Sequence, residues 1–244
     1  VLLSSPENGS VVDPGTTIHW SIEFNVSSGD NLGLALLSVD LAQSDANPAR
    51  FDIPPASGVP AAMANFSRPA GICNPGETNP TTGYTGVQRG TAGRRNLVQI
   101  GGGQNTFGQA LPPGTGVAEN ASVVLGVGQS GNVLLASGSF PAPAATGTYN
   151  FLVRNIIANV ITAVNPTFSS VTEAALSPAS VTTFSFSVGQ CNPADVNCDT
   201  AVDGRDIQAF VDILLQSQTP CSACAGNVDG LGGVTSEDIP AFVN

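Results

Sequence analysis

The sequence predicts a mainly β protein, an antiparallel β-sandwich over residues 1–190 followed by a small α-helical domain over residues 191–244. Three observations carry that prediction. Thr17 to Phe24 alternates strictly, with Ile18, Trp20, Ile22 and Phe24 on one face and Thr17, His19, Ser21 and Glu23 on the other, the period of a half-buried strand. About eight short runs rich in β-branched and apolar residues are separated by Gly, Pro, Ser and Asn, the punctuation of turns in a sandwich. Past Cys191 the period changes: Ile207, Phe210, Val211 and Leu214 recur at i, i+3, i+4 and i+7, one face of a helix.

In chain order, the further strands are expected at Leu32–Leu41, Asn96–Ile100, Ser122–Gly126, Val133–Ala136, Thr148–Arg154, Ile156–Ala163 and Val181–Val188. Two stretches break the pattern. Ser44 to Tyr84 is crowded with Pro and Gly and reads as long loops with a short helix around Ala61–Phe66, and Gly101 to Gly116 reads as a second insertion. Gly101-Gly102-Gly103 lacks a following Lys and helix, so it is expected to be a flexible turn and not a phosphate loop. The join at Val188-Gly189-Gln190 leaves almost no linker, which predicts two modules in a fixed relation.

The 244 residues allow a sizeable core. Only 10% are charged, none is Lys, and the seven cations are all Arg, which excludes Schiff-base chemistry and lysine isopeptide cross-links. The net charge of −11 is uneven: residues 191–244 hold eight acids against one arginine, a net −7, leaving −4 for the first 190. An acidic chain with no basic cluster in its sequence is not expected to bind nucleic acid or anionic lipid, whose phosphates demand cations. From Val1 onward there is no charged n-region and no long apolar run, so neither a signal peptide nor direct membrane insertion is expected within this stretch.

Catalytic constellations are hard to assemble. His19 is the single histidine and lies on the polar face of its strand, so no His-rich metal centre and no supported Ser-His-Asp triad is expected. Glu23, Glu77, Glu119 and Glu173 are scattered singly. Aromatic platforms for sugars are scarce, with Trp20, Tyr84 and Tyr149 as candidates and Trp20 assigned to the core. The reading is therefore of a chain that is not an enzyme. Four Asn-x-Ser sequons occur, at Asn8, Asn25, Asn65 and Asn120.

The informative stretch is Asp195 to Asp206. It sets Asp195, Asn197, Asp199, Ala201 (through its carbonyl), Asp203 and Asp206 at positions 1, 3, 5, 7, 9 and 12 of a twelve-residue calcium loop. Thirty-two residues on the unit returns, Asn227–Val243 matching Asp195–Val211 at seven of seventeen positions. There Asn227, Asp229, Leu231 (through its carbonyl), Gly233 and Asp238 are the corresponding ligands. Two calcium ions are expected, bound unequally: the first loop has more carboxylates but Thr200 at the turn position, where the second has Gly232. Weak calcium loops fill outside cells, which points to an extracellular, secreted or cell-surface protein.

Four of the five cysteines, Cys191, Cys198, Cys221 and Cys224, fall in this small segment, where two disulfides are expected in any of three pairings. Cys73 is left over.

A loop followed by one helix, present twice, resembles a type I dockerin over about residues 191–244, and the strands Gly147–Ala163 and Ser180–Val188 resemble the closing strands of cohesin-like sandwiches. The resemblance implies docking, either onto another copy of the same chain, head to tail, to form a filament or surface layer, or onto a separate cohesin-like scaffold. A dockerin-bearing adaptor and an extracellular glycan-binding or glycan-hydrolysing protein are the alternatives.

Overall fold

The computed structural model describes residues 1–66, 83–106, 123–164, 169–189, 194–197, 201–215, 223–228 and 234–243. The chain is mainly β and divides into two compact units, one of residues 1–6, 18–140 and 150–184, the other of residues 7–17, 141–149 and 185–244. The strands are β1 Leu2–Ser4, β2 Val11–Val12, β3 Thr17–Phe24, β4 Leu34–Gln43, β5 Val87–Arg89, β6 Asn96–Gly103, β7 Val133–Pro141, β8 Gly147–Val164, β9 Ser169–Glu173 and β10 Thr183–Val188. The helices are α1 Gly204–Leu214, α2 Ala223–Gly226 and α3 Ile239–Phe242.

The first unit is a β-sandwich. One sheet has the order β1-β3-β7 and the other runs β8-β4-β6-β5, with β9 added to β8. The alternation in β3 does what its period demands: Ile18, Trp20, Ile22 and Phe24 are all at most 3% exposed. The Trp20 indole packs against Gly138 of β7, where any Cβ would come within 2.6 Å of it. The two sheets meet through aromatic rings. Phe140 of β7 packs 5.0 Å from Phe151 of β8, Phe51 sits 4.9 Å from Phe140, and Phe184 stacks on Phe151 at 5.0 Å. The Tyr84 hydroxyl donates to the Leu135 carbonyl at 2.7 Å, so both Tyr84 and Trp20 are core residues and not sugar platforms.

Strand β4 is central and buried along nearly its whole length, yet it carries Asp40 at 7% exposure. A carboxylate survives there because both oxygens are used: Oδ1 accepts from the Gln99 backbone N–H at 2.8 Å and Oδ2 from Asn155 Nδ2 at 2.7 Å. Gln99 on β6 and Asn155 on β8 are both left-handed, at φ 58° and 51°, and the register shifts beside them. One side chain thus clamps a bulge on each neighbouring strand.

Several expectations change. Thr148–Arg154 and Ile156–Ala163 are one strand, β8, and the apparent break between them is the Asn155 bulge. Gly101–Gly103 is no flexible turn but the end of β6, paired with Leu36–Ser38; at Gly101 a Cβ would fall 2.2 Å from the Leu37 carbonyl oxygen. The strand expected at Ser122–Gly126 is a turn from 125 to 130, because Gly126 and Gly128 are left-handed at φ 76° and 86°. The short helix expected around Ala61–Phe66 is a 3₁₀ helix over Ala61–Met63. Val1–Ser5 supplies β1, which pairs antiparallel with β3 of its own chain. Residues 67–82 and 107–116 of the expected insertions lie outside the described residues.

In the second unit β2 runs parallel to β10, with Ser187 opposite Val11 and Val188 opposite Val12. Tyr149 stacks on Phe186 at 5.5 Å and its hydroxyl donates to the Ala145 carbonyl at 2.7 Å. The acidic segment belongs to this unit and is held by a ring stack, Phe210 of α1 on Phe242 of α3 at 4.2 Å and 6°. No helix among the described residues is long and apolar enough to cross a membrane.

Candidate metal centre

Helix α1 begins where its sequence says it should. Asp203 is the N-cap and accepts from the Arg205 N–H at 2.8 Å, while Asp206, three residues on, accepts from the Asp203 N–H at 2.9 Å. This is a capping box. The second half repeats it: Thr235 accepts from the Glu237 N–H at 3.2 Å, and Asp238 from the Thr235 N–H at 2.8 Å. Both helix starts are thus capped by side chains.

Of the first loop's expected ligands, Asp195 and Asp206 are buried at 5% and 0% exposure. The Asp206 carboxylate also accepts from the Asn197 N–H at 3.1 Å, which ties loop position 3 to loop position 12. Asp203 and Ala201 are exposed, and Asp199 lies outside the described residues. In the second loop Asp238 is wholly buried, and Asp229, Leu231 and Gly233 lie outside the described residues. Asn227 Oδ1 is buried and has no hydrogen-bond partner among the described residues. The two halves touch through the backbone, the Ala194 N–H donating to the Ala225 carbonyl at 2.9 Å with Ala194 left-handed at φ 71°. Cys73, Cys191, Cys198 and Cys221 lie outside the described residues, as does the sequon at Asn120, while Asn8, Asn25 and Asn65 are exposed.

The donors suit a hard cation in kind. Asp206 meets two backbone N–H groups and no cationic side chain among the described residues, and each carboxylate oxygen keeps a further lone pair. The orphaned Asn227 Oδ1 is an acceptor of the type such an ion satisfies. In number they fall short: among the described residues no group of three or more His, Cys, Asp or Glu side chains gathers closely enough to hold a metal ion.

The row Ile207, Phe210, Val211 and Leu214 does lie on a helix, α1, but Phe210 is its one buried member. The structure buries Asp206 and Phe210 and leaves Ile207, Val211 and Leu215 exposed, together with Ile239 and Val243 in the second half. The repeat places Ile239 and Val243 thirty-two residues after Ile207 and Val211.

No family model matches the chain, and no curated protein matches it. A solved structure described as an uncharacterized protein from Nocardia farcinica with an immunoglobulin-like fold covers 72% of this chain and 98% of its own, at 12% identity and a TM-score of 0.25. The resemblance to a dockerin, and to a cohesin-like sandwich, is corrected by the structure of the chain itself. Among the described residues only α1 exceeds one helical turn, its counterpart being a 3₁₀ turn and the four-residue α3, and no metal-holding cluster is present. The physical reason lies in the repeat: the recurring carboxylate, Asp206 and Asp238, closes a capping box in each half, and the recurring aromatic, Phe210 and Phe242, forms a ring stack, so neither pair needs an ion to account for its recurrence.

Proposed function

We propose that this chain is a secreted, non-enzymatic structural protein that joins head to tail with copies of itself into an extracellular filament or surface layer. The contact is made by the acidic C-terminal segment, which calcium orders. The observation that carries this reading is the outward apolar face of that segment: Ile207, Val211, Leu215, Ile239 and Val243 are 40–71% exposed on two elements held together by the Phe210–Phe242 stack. A segment this small that turns its aliphatic residues outward has a partner surface to cover them.

Calcium is supported by the donor chemistry. Asp195, Asp206 and Asp238 are buried carboxylates in a segment with one arginine, and burying charge is costly unless a cation or a full set of hydrogen bonds compensates. Asn197 and Asn227 would add neutral oxygens. The same apolar face would serve an adaptor anchored to a separate scaffold protein. For a glycan-binding role the support is weaker, since Trp20, Tyr84 and Tyr149 are all buried.

The test is particle size by light scattering in millimolar-scale calcium and then in chelator. Assembly is expected with calcium and dissociation on chelation. A chain that stays monomeric in both would refute self-assembly, and one that assembles equally in both would refute the role of the ion.

A further inference from the structure

The fold gathers a basic surface that the sequence disperses. Between Glu77 and Glu119 the chain has three arginines, Arg89, Arg94 and Arg95, and no acid. Strand β5 pairs with β6 so that Arg89 lies opposite Asn96, beside Arg94 and Arg95 in the connecting turn. Arg50 joins them from a distant loop, donating to the Arg94 carbonyl at 3.1 Å while its guanidinium pairs with Asp45. Arg95 faces Asp52 at 3.6 Å. Two arginines are thus anchored by acids of their own, which hold the hairpin in shape. Arg89 and Arg94 are exposed, and Arg94 has no acidic side chain against it among the described residues.

We propose that this arginine hairpin is the surface on which the acidic C-terminal segment of a second copy docks. The inference rests on the head-to-tail reading and names its socket. Charge complementarity selects the occupant: the segment from 191 to 244 carries a net −7, still about −3 with two calcium ions bound, and its outward apolar face on α1 is bordered by Asp212, with Asp203 and Glu237 also at the surface. A guanidinium fork matches a carboxylate in two parallel hydrogen bonds, and this chain has no lysine to do the work less selectively. Among the described residues β5 is also the edge of its sheet. An edge lined with arginine discourages addition of a neighbouring strand, so side chains and not backbone would make the contact.

The experiment uses the full chain in calcium, comparing wild type with Arg89→Glu/Arg94→Glu and with Asp212→Arg/Glu237→Arg. Melting temperatures first establish that both variants fold. Each variant alone is expected to raise the concentration needed for assembly by about tenfold or more. An equimolar mixture of the two should restore it, because each reversed socket then meets a reversed plug. Wild-type assembly should also weaken as salt rises from about 0.05 to 0.5 M. If the arginine variant assembles as wild type does, the hairpin is not the socket and the head-to-tail reading stands. A variant loss with no rescue in the mixture shows that the arginines do not meet Asp212 and Glu237, and overturns the proposal. Wild type that remains monomeric throughout overturns the socket and the assembly together.

Discussion

Asp206→Ala is the most direct probe of the acidic segment. The wild-type carboxylate is wholly buried and accepts two backbone N–H groups, from Asn197 at 3.1 Å and Asp203 at 2.9 Å. Truncation removes both acceptors and leaves two partly buried donors, each worth about 1–2 kcal/mol. The capping box goes with them, so α1 and its loop should lose about 2–4 kcal/mol of local stability while the sandwich keeps its own. Asp206→Asn keeps one carbonyl acceptor and should lose about half as much. The calcium reading adds a second signature. At a calcium concentration of about 100 times Kd the wild-type segment gains about 2.7 kcal/mol, and the alanine variant should gain far less. Amide hydrogen exchange at Asn197, Asp203 and along α1, with calcium and with chelator, reads both effects. If exchange in Asp206→Ala stays within about 0.5 kcal/mol of wild type under both conditions, the carboxylate is neither a cap nor a ligand and the reasoning fails.

Three further outcomes follow from the same geometry. Asp40→Ala frees two left-handed bulges and leaves the Gln99 N–H without its acceptor; urea denaturation should show a loss of about 3 kcal/mol, against about 1 kcal/mol for Asp40→Asn. Burial pushes the Tyr84 phenol above its usual range, so its contribution is complete below the unfolded value near about pH 10 and is lost as pH climbs through the higher folded value. Tyr84→Phe should cost about 1 kcal/mol at neutral pH, through the lost bond to Leu135, yet denature less steeply at alkaline pH in a thermal-melt series. Phe242→Ala removes the partner of Phe210 and should raise exchange throughout α1 by an amount equivalent to about 2–3 kcal/mol, with the sandwich melting unchanged.

How far the sequence could be read depends on how local the determining physics is. The faces of β3 were legible because a strand's period is a property of consecutive residues, and Trp20 is in the core as its neighbours Ile18 and Ile22 require. The repeat of thirty-two residues was legible too, but its meaning was ambiguous. A carboxylate three residues beyond a cap satisfies a capping box and also closes an ion loop, and only the position of the Asp203 and Thr235 N–H groups shows which bonds form. Strands β5 and β9 carry no strong pattern of their own. Pairing with β6 and β8 makes them strands.

Composition and periodicity by themselves determined that this is an acidic, lysine-free, mainly β chain, which alternating strand faces bury, with a repeated helical segment at its end. The tertiary structure alone decided which stripe of α1 turns inward, because the stack of Phe210 on Phe242 outweighs the aliphatic row at Ile207 and Val211. It alone brought Asp40 to Gln99 and Asn155, separated from it by 59 and 115 residues, and set Arg50 against Arg94 across 44. Contacts over such distances leave no mark in local pattern, since each residue's neighbours in sequence are indifferent to the partner it meets in space.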